Sequence, residues 1–503
     1  MQNYKYEECI QENKKQFEEL LDIVNNKALN FDYRLETALI ALRFAVFSPT
    51  GYFYCNDLEK FFIDIAQEND ISSYNIPHQK GTILHVLTTA YTSGGHTRVV
   101  ERWIKNHTGF KHSVVLLNQN KSEIPQTLIN NCKDSGGEMF VFSEDNLIQR
   151  SLKLRELALR YEYVVLHIHM DDPAATIAFG TEKFTRPVLL FNHADHLFWI
   201  GKYIADVVLN FRTKSSISNK YRLITNNKKL PIPVDNSNDI KSETSAMRNE
   251  HPIIFSSGSS FKYSPFENKS LIPVFDEILT KSPSSLLYVV GVKTNGMWKP
   301  LVKKYKKRVT LIERLPYPEY LQKLRTASVV VDSYPVSGGT AIIDAIKQNI
   351  PFVSLKTIEG QTDFVENSNG ICNTPQELVD KVIKILEDKT AAKELLLNEL
   401  NKFNEENDID LWVKNIKNIL SATPEKHQLQ EFTEQKIFIN DYTMMIYWMY
   451  KKEAAGLLAK KILFIPHILT FEKYKIGNQK IKRLKLFNKT VFKSVKQRKK
   501  KVK

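Results

Sequence analysis

Two stretches of the chain carry residue types suited to holding a phosphate. The first, VVVDSYPVSGGTAIIDAI at residues 329–346, runs from three valines through a Pro335–Gly339 turn into a helix opened by Thr340, in which Ile342, Ile343 and Ile346 recur at helical spacing. A glycine-rich turn between strand and helix bares backbone N–H groups at a helix N-terminus, where a phosphate gains both hydrogen bonds and the favourable end of the helix dipole. Gly338 and Gly339 permit that approach, and Asp344, one turn into the helix, can accept from ribose hydroxyls. A packing turn without a ligand would need the same residues. The second stretch, IIFSSGSSFKYSPF at 253–266, takes a strand into a Ser/Gly loop with Ser259 and Lys262 and on to a proline suited to a helix start. Lys262 is there either a point charge for a diphosphate or a solvated surface lysine.

Histidines make the other concentration. HVLTTAYTSGGHTRVVERWI, residues 85–104, reads as a strand, a loop with Gly94 and Gly95, and a helix from about Thr97, with His96 and Arg98 facing a cleft; a simple surface turn before an amphipathic helix is the alternative. YVVLHIHMDDP and VLLFNHADHLFWIG place His167, His169, Asp171, Asp172, His193, Asp195 and His196 just beyond two strands. An imidazole with a carboxylate nearby is a general base for a hydroxyl acceptor, because it titrates near neutral pH. His193 and His196 are the candidates, with Asp195 beside them, as base or as sugar-phosphate ligand. The same types at short spacing can also ligate zinc or iron.

The elements that would position these groups form two α/β series. Strands are expected at 82–87, 113–118, 139–142, 163–168, 187–191 and 206–210, then at 253–257, 286–292, 308–312, 328–332 and 352–355, with helices between. The polar run NSNDIKSETSAMRNEH separates the series as a linker. The expected organisation is a helical region over 1–78, a Rossmann-like domain over 79–235, a second Rossmann-like domain over 250–420, and a helical region with a basic tail over 421–503. In the first region Leu35, Ala38, Leu39, Leu42, Ala45 and Val46 are expected to share one helix face.

The 503 residues are enough for two or three separate cores. The formal charge of +15 is uneven: residues 451–503 hold 18 Lys and Arg against Glu453 and Glu472, a local +16, so the rest sums to −1. Polyanion binding is therefore a property of the end, expected as an amphipathic helix over 473–503 on an anionic membrane or as a solvated tail. Nucleic acid is not the expected partner, since no recognition fold accompanies the charge. Cys9, Cys55, Cys132 and Cys372 lack metal-ligand or disulfide-framework spacing. With no apolar leader and no membrane-length apolar run, the expected location is the cytoplasm, peripheral at the inner face of the membrane if the tail docks there.

Residues 253 to about 363 resemble the catalytic C-terminal half of the O-GlcNAc transferase family and the bacterial protein N-glucosyltransferases, in the order Lys262, Asp332, Gly338, Gly339, Thr340, Asp344. Ala341 stands where the O-GlcNAc transferases have a second Thr, and tetratricopeptide repeats are not detectable. The resemblance implies a GT-B fold, with 79–235 as the acceptor-side domain and 250–420 as the nucleotide-sugar-binding domain, Lys262 and the Thr340 turn on the donor diphosphate, Asp344 on the ribose, and Lys262 with protein dipoles, in place of a metal, stabilising the leaving diphosphate. It also implies a hexosyl- or N-acetylhexosaminyltransferase using a nucleotide sugar, UDP-linked, as co-substrate with no other cofactor. The acceptor stays open between glycan, lipid-linked glycan and protein. A nucleotide-sugar 2-epimerase of the same fold and a non-catalytic nucleotide-binding scaffold are the rivals.

Overall fold

The computed structural model describes residues 2–92, 95–119, 124–144, 146–212, 220–232, 251–267, 269–294, 296–313, 315–358, 360–361, 363–450, 469–476, 479–486 and 489–497. Most of the linker expected after residue 235 lies outside these residues.

The first sheet contains β1 (Gln79–Leu87), β2 (Lys111–Leu116), β3 (Met139–Val141), β4 (Tyr161–His167), β5 (Val188–Asn192), β6 (Val207–Asn210) and β7 (Asn227–Lys229), in the order β3-β2-β1-β4-β5-β6-β7. The second contains β8 (Ile253–Ser257), β9 (Leu286–Val290), β10 (Val309–Ile312), β11 (Val329–Val331), β12 (Phe352–Leu355) and β13 (Ile371–Cys372), in the order β10-β9-β8-β11-β12-β13. All neighbours in both sheets are parallel. Helices cover both faces, so strands such as β5 are buried at every residue and read as unbroken apolar runs. In each sheet the order reverses beside its first strand, between β1 and β4 and between β8 and β11. Connections diverge there and leave a crevice at the carboxyl ends of the strands.

The expected strands are present, together with β7 and β13. Those two carry little apolar signal: β7 is Asn-Lys-Lys at a sheet edge and β13 is two residues long.

The N-terminal helices Gln2–Asn25, Phe31–Phe47 and Asn56–Glu68 form a layer whose core joins Phe17, Leu42 and Phe62 to Leu197 and Phe198 of the first domain and to Met445. It also reaches Phe266 and Val336 of the second domain, so it ties the two along one side. The helix Phe31–Phe47 buries Ala38, Ala41, Leu42 and Ala45, but Leu39, expected on that face, is 37 % exposed. One residue step turns a helix by about 100°, which carries Leu39 off the stripe centred on the alanines.

Residues 409–420, grouped by the sequence pattern with the second domain, cross back to the first. The helix Ile409–Ala422 buries Trp412, Ile416 and Ile419 against Trp103, Val165 and Leu209, and Trp412 Nε1 donates to the Pro231 carbonyl at 2.8 Å. The return crossing and the chain after residue 230 make two strands of connection between the domains.

The basic end is not a helix. Leu469–Ile476, Gln479–Leu486 and Lys489–Gln497 form a three-stranded antiparallel sheet. Its sequence alternates β-branched and aromatic residues with lysines, and Gly477-Asn478 between the first two strands is a pair favoured in two-residue hairpins. Period-two alternation overrode the looser helical spacing. Among the described residues no helix is long and apolar enough to cross a membrane.

Candidate functional site between the two sheets

The two crevices face one another. Between them lies a cavity of about 930 Å³ lined by Gly95, His96, Arg98, Arg102 and His193 from the first domain and by Tyr317, Tyr320, Thr340 and Asp344 from the second.

On the first-domain side, the helix Gly95–Asn106 starts at the cavity, and its Thr97 hydroxyl accepts from the Tyr91 N–H at 2.8 Å, closing the preceding loop. Gly94 lies outside the described residues. Arg98 and Arg102, one turn apart on this helix, both line the cavity. Gly95 is so near the opposite wall that a β-carbon there would stand 3.9 Å from Thr340 Cγ2. Two helix N-termini, those of Gly95–Asn106 and Thr340–Lys347, thus converge on one place.

Behind this wall the histidines form a continuous file through the sheet interior. His193 Nε2 lies 2.9 Å from His167 Nδ1, His167 Nε2 lies 3.1 Å from His85 Nδ1, and His85 Nε2 lies 3.0 Å from His112 Nδ1. The file ends where His112 Nε2 meets the His107 carbonyl at 3.1 Å. Strand register builds it: Ile83 faces His112 and Leu87 faces His167, so each of these rings is a diagonal neighbour of His85 on one sheet face. Burial pushes His85, His167 and His193 well below the ordinary histidine range, with neighbouring imidazoles adding to the shift, and pushes His112 down to about 4. These rings are neutral at pH 7. His96 packs 4.4 Å from His193 centre to centre, and its Nε2 meets the His167 carbonyl at 3.0 Å.

His196 and Asp195 lie apart from the large cavity, in an adjoining recess of about 180 Å³ that they share with His193. His196 Nε2 meets the Tyr450 hydroxyl at 3.0 Å. Burial, then the positive charge of Arg212, pushes His196 down to about 4, against the pull of Asp195, with Arg222 and Lys262 contributing in the same direction as Arg212. Asp195 is held by Arg222 at 3.4 Å and Arg212 at 3.6 Å. Two guanidiniums make it a brace for the loop. Asp172 is also occupied locally, accepting from the Thr88 hydroxyl at 2.6 Å and from the Ala174 N–H at 3.0 Å. Among the described residues no three His, Cys, Asp or Glu side chains are grouped to hold a metal ion.

On the second-domain side, buried Asp332 organises the glycine turn. It accepts from the N–H groups of Ser333 at 2.8 Å and Gly338 at 2.7 Å, and from the hydroxyls of Ser337 at 2.7 Å and Ser354 at 3.0 Å. Burial raises its carboxyl, and the bonds from Ser337 and Gly338 offset part of that. The N–H groups of Gly338 and Gly339 are therefore spent inside the turn, and the Ile342 N–H donates to the Gly339 carbonyl at 3.2 Å, which leaves those of Thr340 and Ala341 as first-turn donors for a ligand. Gly338 is required sterically, since a β-carbon would fall 2.8 Å from Asp332 Oδ1, and Gly339 conformationally, with φ of +60°. Lys262 Nζ donates to the Ser337 carbonyl at 2.6 Å, bracing the turn from outside the large cavity; Ser259 precedes the short helix Ser260–Tyr263 that carries it, without a side-chain capping bond.

Asp344 faces the cavity, its Oδ1 accepting from the Tyr317 hydroxyl at 2.8 Å. Burial raises its carboxyl; the hydrogen bond and the charges of Arg98 and Arg102 oppose that. Arg98 in turn lies 4.3 Å over the Tyr317 ring, bridging the cleft. Arg102, Tyr317 and Tyr320 were not anticipated from sequence. The i, i+4 repeat of Arg98 was a visible signal for Arg102; the tyrosines follow Pro316 at i, i+3 spacing and carry no motif.

No protein-family model and no curated protein sequence matches the chain. Solved structures do. A Thermobaculum terrenum O-GlcNAc transferase mutant superposes with a TM-score of 0.52 at 12% identity, over 88% of this chain and 79% of that one. TarM, from S. aureus, superposes with a TM-score of 0.50 at 12% identity, over 68% of this chain and 99% of that one. Two Rossmann-type sheets, with their crevices opposed across a cleft and an architecture shared at low identity with these proteins, make up the GT-B fold, and this chain has that fold.

Proposed function

We propose that the protein is a glycosyltransferase that moves a sugar from a nucleoside diphosphate donor to a hydroxyl acceptor. The observation that carries this reading is the convergence of two helix N-termini, with Arg98 and Arg102 beside them, on one interdomain cavity. Two sets of first-turn N–H groups and two dipole ends favour a pyrophosphate, which presents charge in both directions. The donor is assigned its diphosphate against Gly95 and Thr340, its ribose on Asp344, and a place for its base beside Tyr317 and Tyr320, whose faces offer stacking area. Uridine is the nucleoside favoured by the resemblance to the O-GlcNAc transferases. Lys262 acts by holding the Ser337–Thr340 turn and by its charge.

The acceptor, a glycan, a lipid-linked glycan or a protein, enters from the side of His193 and His196. The sheet formed by residues 469–497 is assigned to an anionic surface such as a membrane.

Calorimetric titration of UDP, GDP and CMP and their sugar conjugates in EDTA, into the wild type, Lys262→Ala and Asp344→Ala, tests the donor site. Micromolar binding of one nucleotide, weakened in both variants, is expected. No binding by folded wild-type protein would sink the reading. Analysis of products then separates transfer from epimerisation, which releases the nucleotide and a free sugar without any acceptor.

A further inference from the structure

The file of imidazoles has a direction, and the direction has a chemical consequence at the cavity. A backbone carbonyl only accepts hydrogen bonds, so His112, whose Nε2 meets the His107 carbonyl, carries its proton on Nε2. Its Nδ1 is then an acceptor and must receive from His85 Nε2. A neutral ring has one N–H, so His85 Nδ1 accepts from His167 Nε2, and His167 Nδ1 accepts from His193 Nε2. The carbonyl at the closed end thus sets every tautomer along the file, and the last ring is left with a bare Nδ1 lone pair. No described residue donates to that nitrogen, and His193 lines both the large cavity and the smaller recess.

We propose that His85, His112 and His167 are positioning residues that lock His193 as its Nε2–H tautomer, making His193 Nδ1 the base that receives the acceptor's proton. This rests on the transferase reading. The step balances as follows: the acceptor oxygen bonds to the anomeric carbon, the anomeric C–O bond to the diphosphate breaks with its electron pair leaving on phosphate, and the acceptor proton goes to His193 Nδ1. The resulting imidazolium has a route for its charge. His193 can pass its Nε2 proton to His167, His167 to His85, and His85 to His112, where transfer stops because a carbonyl does not take the proton. The file is a store for one proton, spread over four rings, that empties only by the way it filled. An aspartate behind a catalytic histidine sets its tautomer in a comparable way; here a carbonyl does so at a distance, through three rings.

The test uses full-length protein labelled with ¹⁵N-histidine, with imidazole nitrogen shifts read by long-range correlation NMR. In the wild type His193 is expected to be protonated on Nε2 and bare on Nδ1. In His112→Leu the buried His85 Nε2–H loses its acceptor, which favours reversal of the whole file and moves the His193 proton to Nδ1. Turnover with the donor identified by calorimetry is then expected to fall roughly ten- to hundredfold while UDP affinity stays unchanged. His112→Asn, which keeps an acceptor oxygen near the place of Nδ1, is expected to restore both the tautomer and most of the rate. A wild-type spectrum with His193 protonated on Nδ1 would overturn the proposal even if no variant folded. A folded His112→Leu with unchanged His193 shifts and rate would also overturn it. Wild-type protein that binds UDP but transfers no sugar to any acceptor would remove the base role together with the transferase reading, whereas the tautomer remains readable on its own.

Discussion

The two sheets have the same strand order around their switch points and opposite chemistry in their interiors. The first keeps a file of imidazoles running through its interior: His85, His112, His167 and His193 stand hydrogen-bonded to one another. The second has a single histidine, the exposed His251, among residues 236–420, and builds its site from hydroxyls and backbone N–H groups around one buried carboxylate, Asp332. Neutral imidazoles can take and return a proton. A turn stitched by a buried Asp presents donors held in fixed positions. The same topology therefore carries a file of imidazoles on one side of the cleft and a fixed glycine turn on the other, the contrast on which the proposed division into proton transfer and anion binding rests.

If that division holds, a substitution in each half should show a different kinetic signature. His193→Gln carries the largest effect: loss of a general base costs about 10²- to 10⁴-fold in kcat, with nucleotide affinity unchanged by calorimetry. A parallel loss of affinity would mean that His193 holds the donor, and the contrast between the sheets would fail. Asp344→Asn should do the reverse, weakening nucleotide binding by roughly tenfold or more through a lost charged acceptor while the pre-bound donor still reacts. Gly338→Ala should act like Asp344→Asn without touching any ligand, because its β-carbon would collide with Asp332 Oδ1 at 2.8 Å and displace the turn.

How much of this could be read beforehand follows the same division. The second domain's site is local: Lys262, Gly338, Gly339, Thr340 and Asp344 lie on two short stretches whose order and spacing are visible in one dimension. What the sequence could not show there is that the Gly338 N–H is consumed by Asp332, a matter of how the turn closes. The first domain's file is non-local. His112 lies outside any motif, and its contact with His85 depends on β1 and β2 pairing in the register that sets Ile83 opposite His112. Short spacing grouped His167, His193 and His196 with Asp172 and Asp195. The fold sends Asp172 to a helix cap and Asp195 to two arginines, because strand ends diverge once they leave the sheet. The basic end differs again: its period-two alternation and the Gly477-Asn478 dipeptide are visible in the sequence, but so are apolar residues at three- and four-residue spacing, and the two patterns point to different elements.

The contrast also predicts how acid acts on each half. In the first domain burial holds His96 and His112 down to about 4, His107 to about 3, and His85, His167 and His193 well below their ordinary value. The unfolded chain binds protons on these groups near 6.5 and the folded chain does not. Their contribution to stability is thus present above 6.5 and is lost as pH falls from there toward the folded values. In the second domain burial raises Asp332, Asp344 and Glu399, so their contribution is greatest in acid and declines as pH rises through the folded values. Hydrogen exchange at about pH 5 and about pH 7, corrected for intrinsic rates, should show protection falling in β1, β2 and β4 at the lower pH and holding in β8, β11 and β12. Equal loss in both sheets would mean that the imidazole file does not dominate the acid response.

The smallest effect tests whether the halves are coupled before any ligand arrives. Arg98 reaches from the first domain over the Tyr317 ring at 4.3 Å, and Tyr317 donates to Asp344 at 2.8 Å, so one contact joins the cation of one half to the cavity-facing carboxylate of the other. A cation over a half-exposed aromatic ring contributes about 0.5–1 kcal/mol, which is roughly a two- to fivefold change in an equilibrium. Removing it with Arg98→Ala also takes away a charge that favours the diphosphate. Tyr317→Phe keeps the ring for Arg98 and deletes only the hydroxyl that occupies Asp344. If Asp344 must leave Tyr317 to hold a ribose, nucleotide binding should tighten about two- to fivefold in Tyr317→Phe and weaken in Arg98→Ala, opposite signs from neighbouring residues. If both weaken binding, the Tyr317 hydroxyl belongs to the nucleotide site itself, and the Arg98–Tyr317–Asp344 bridge persists when the donor is bound.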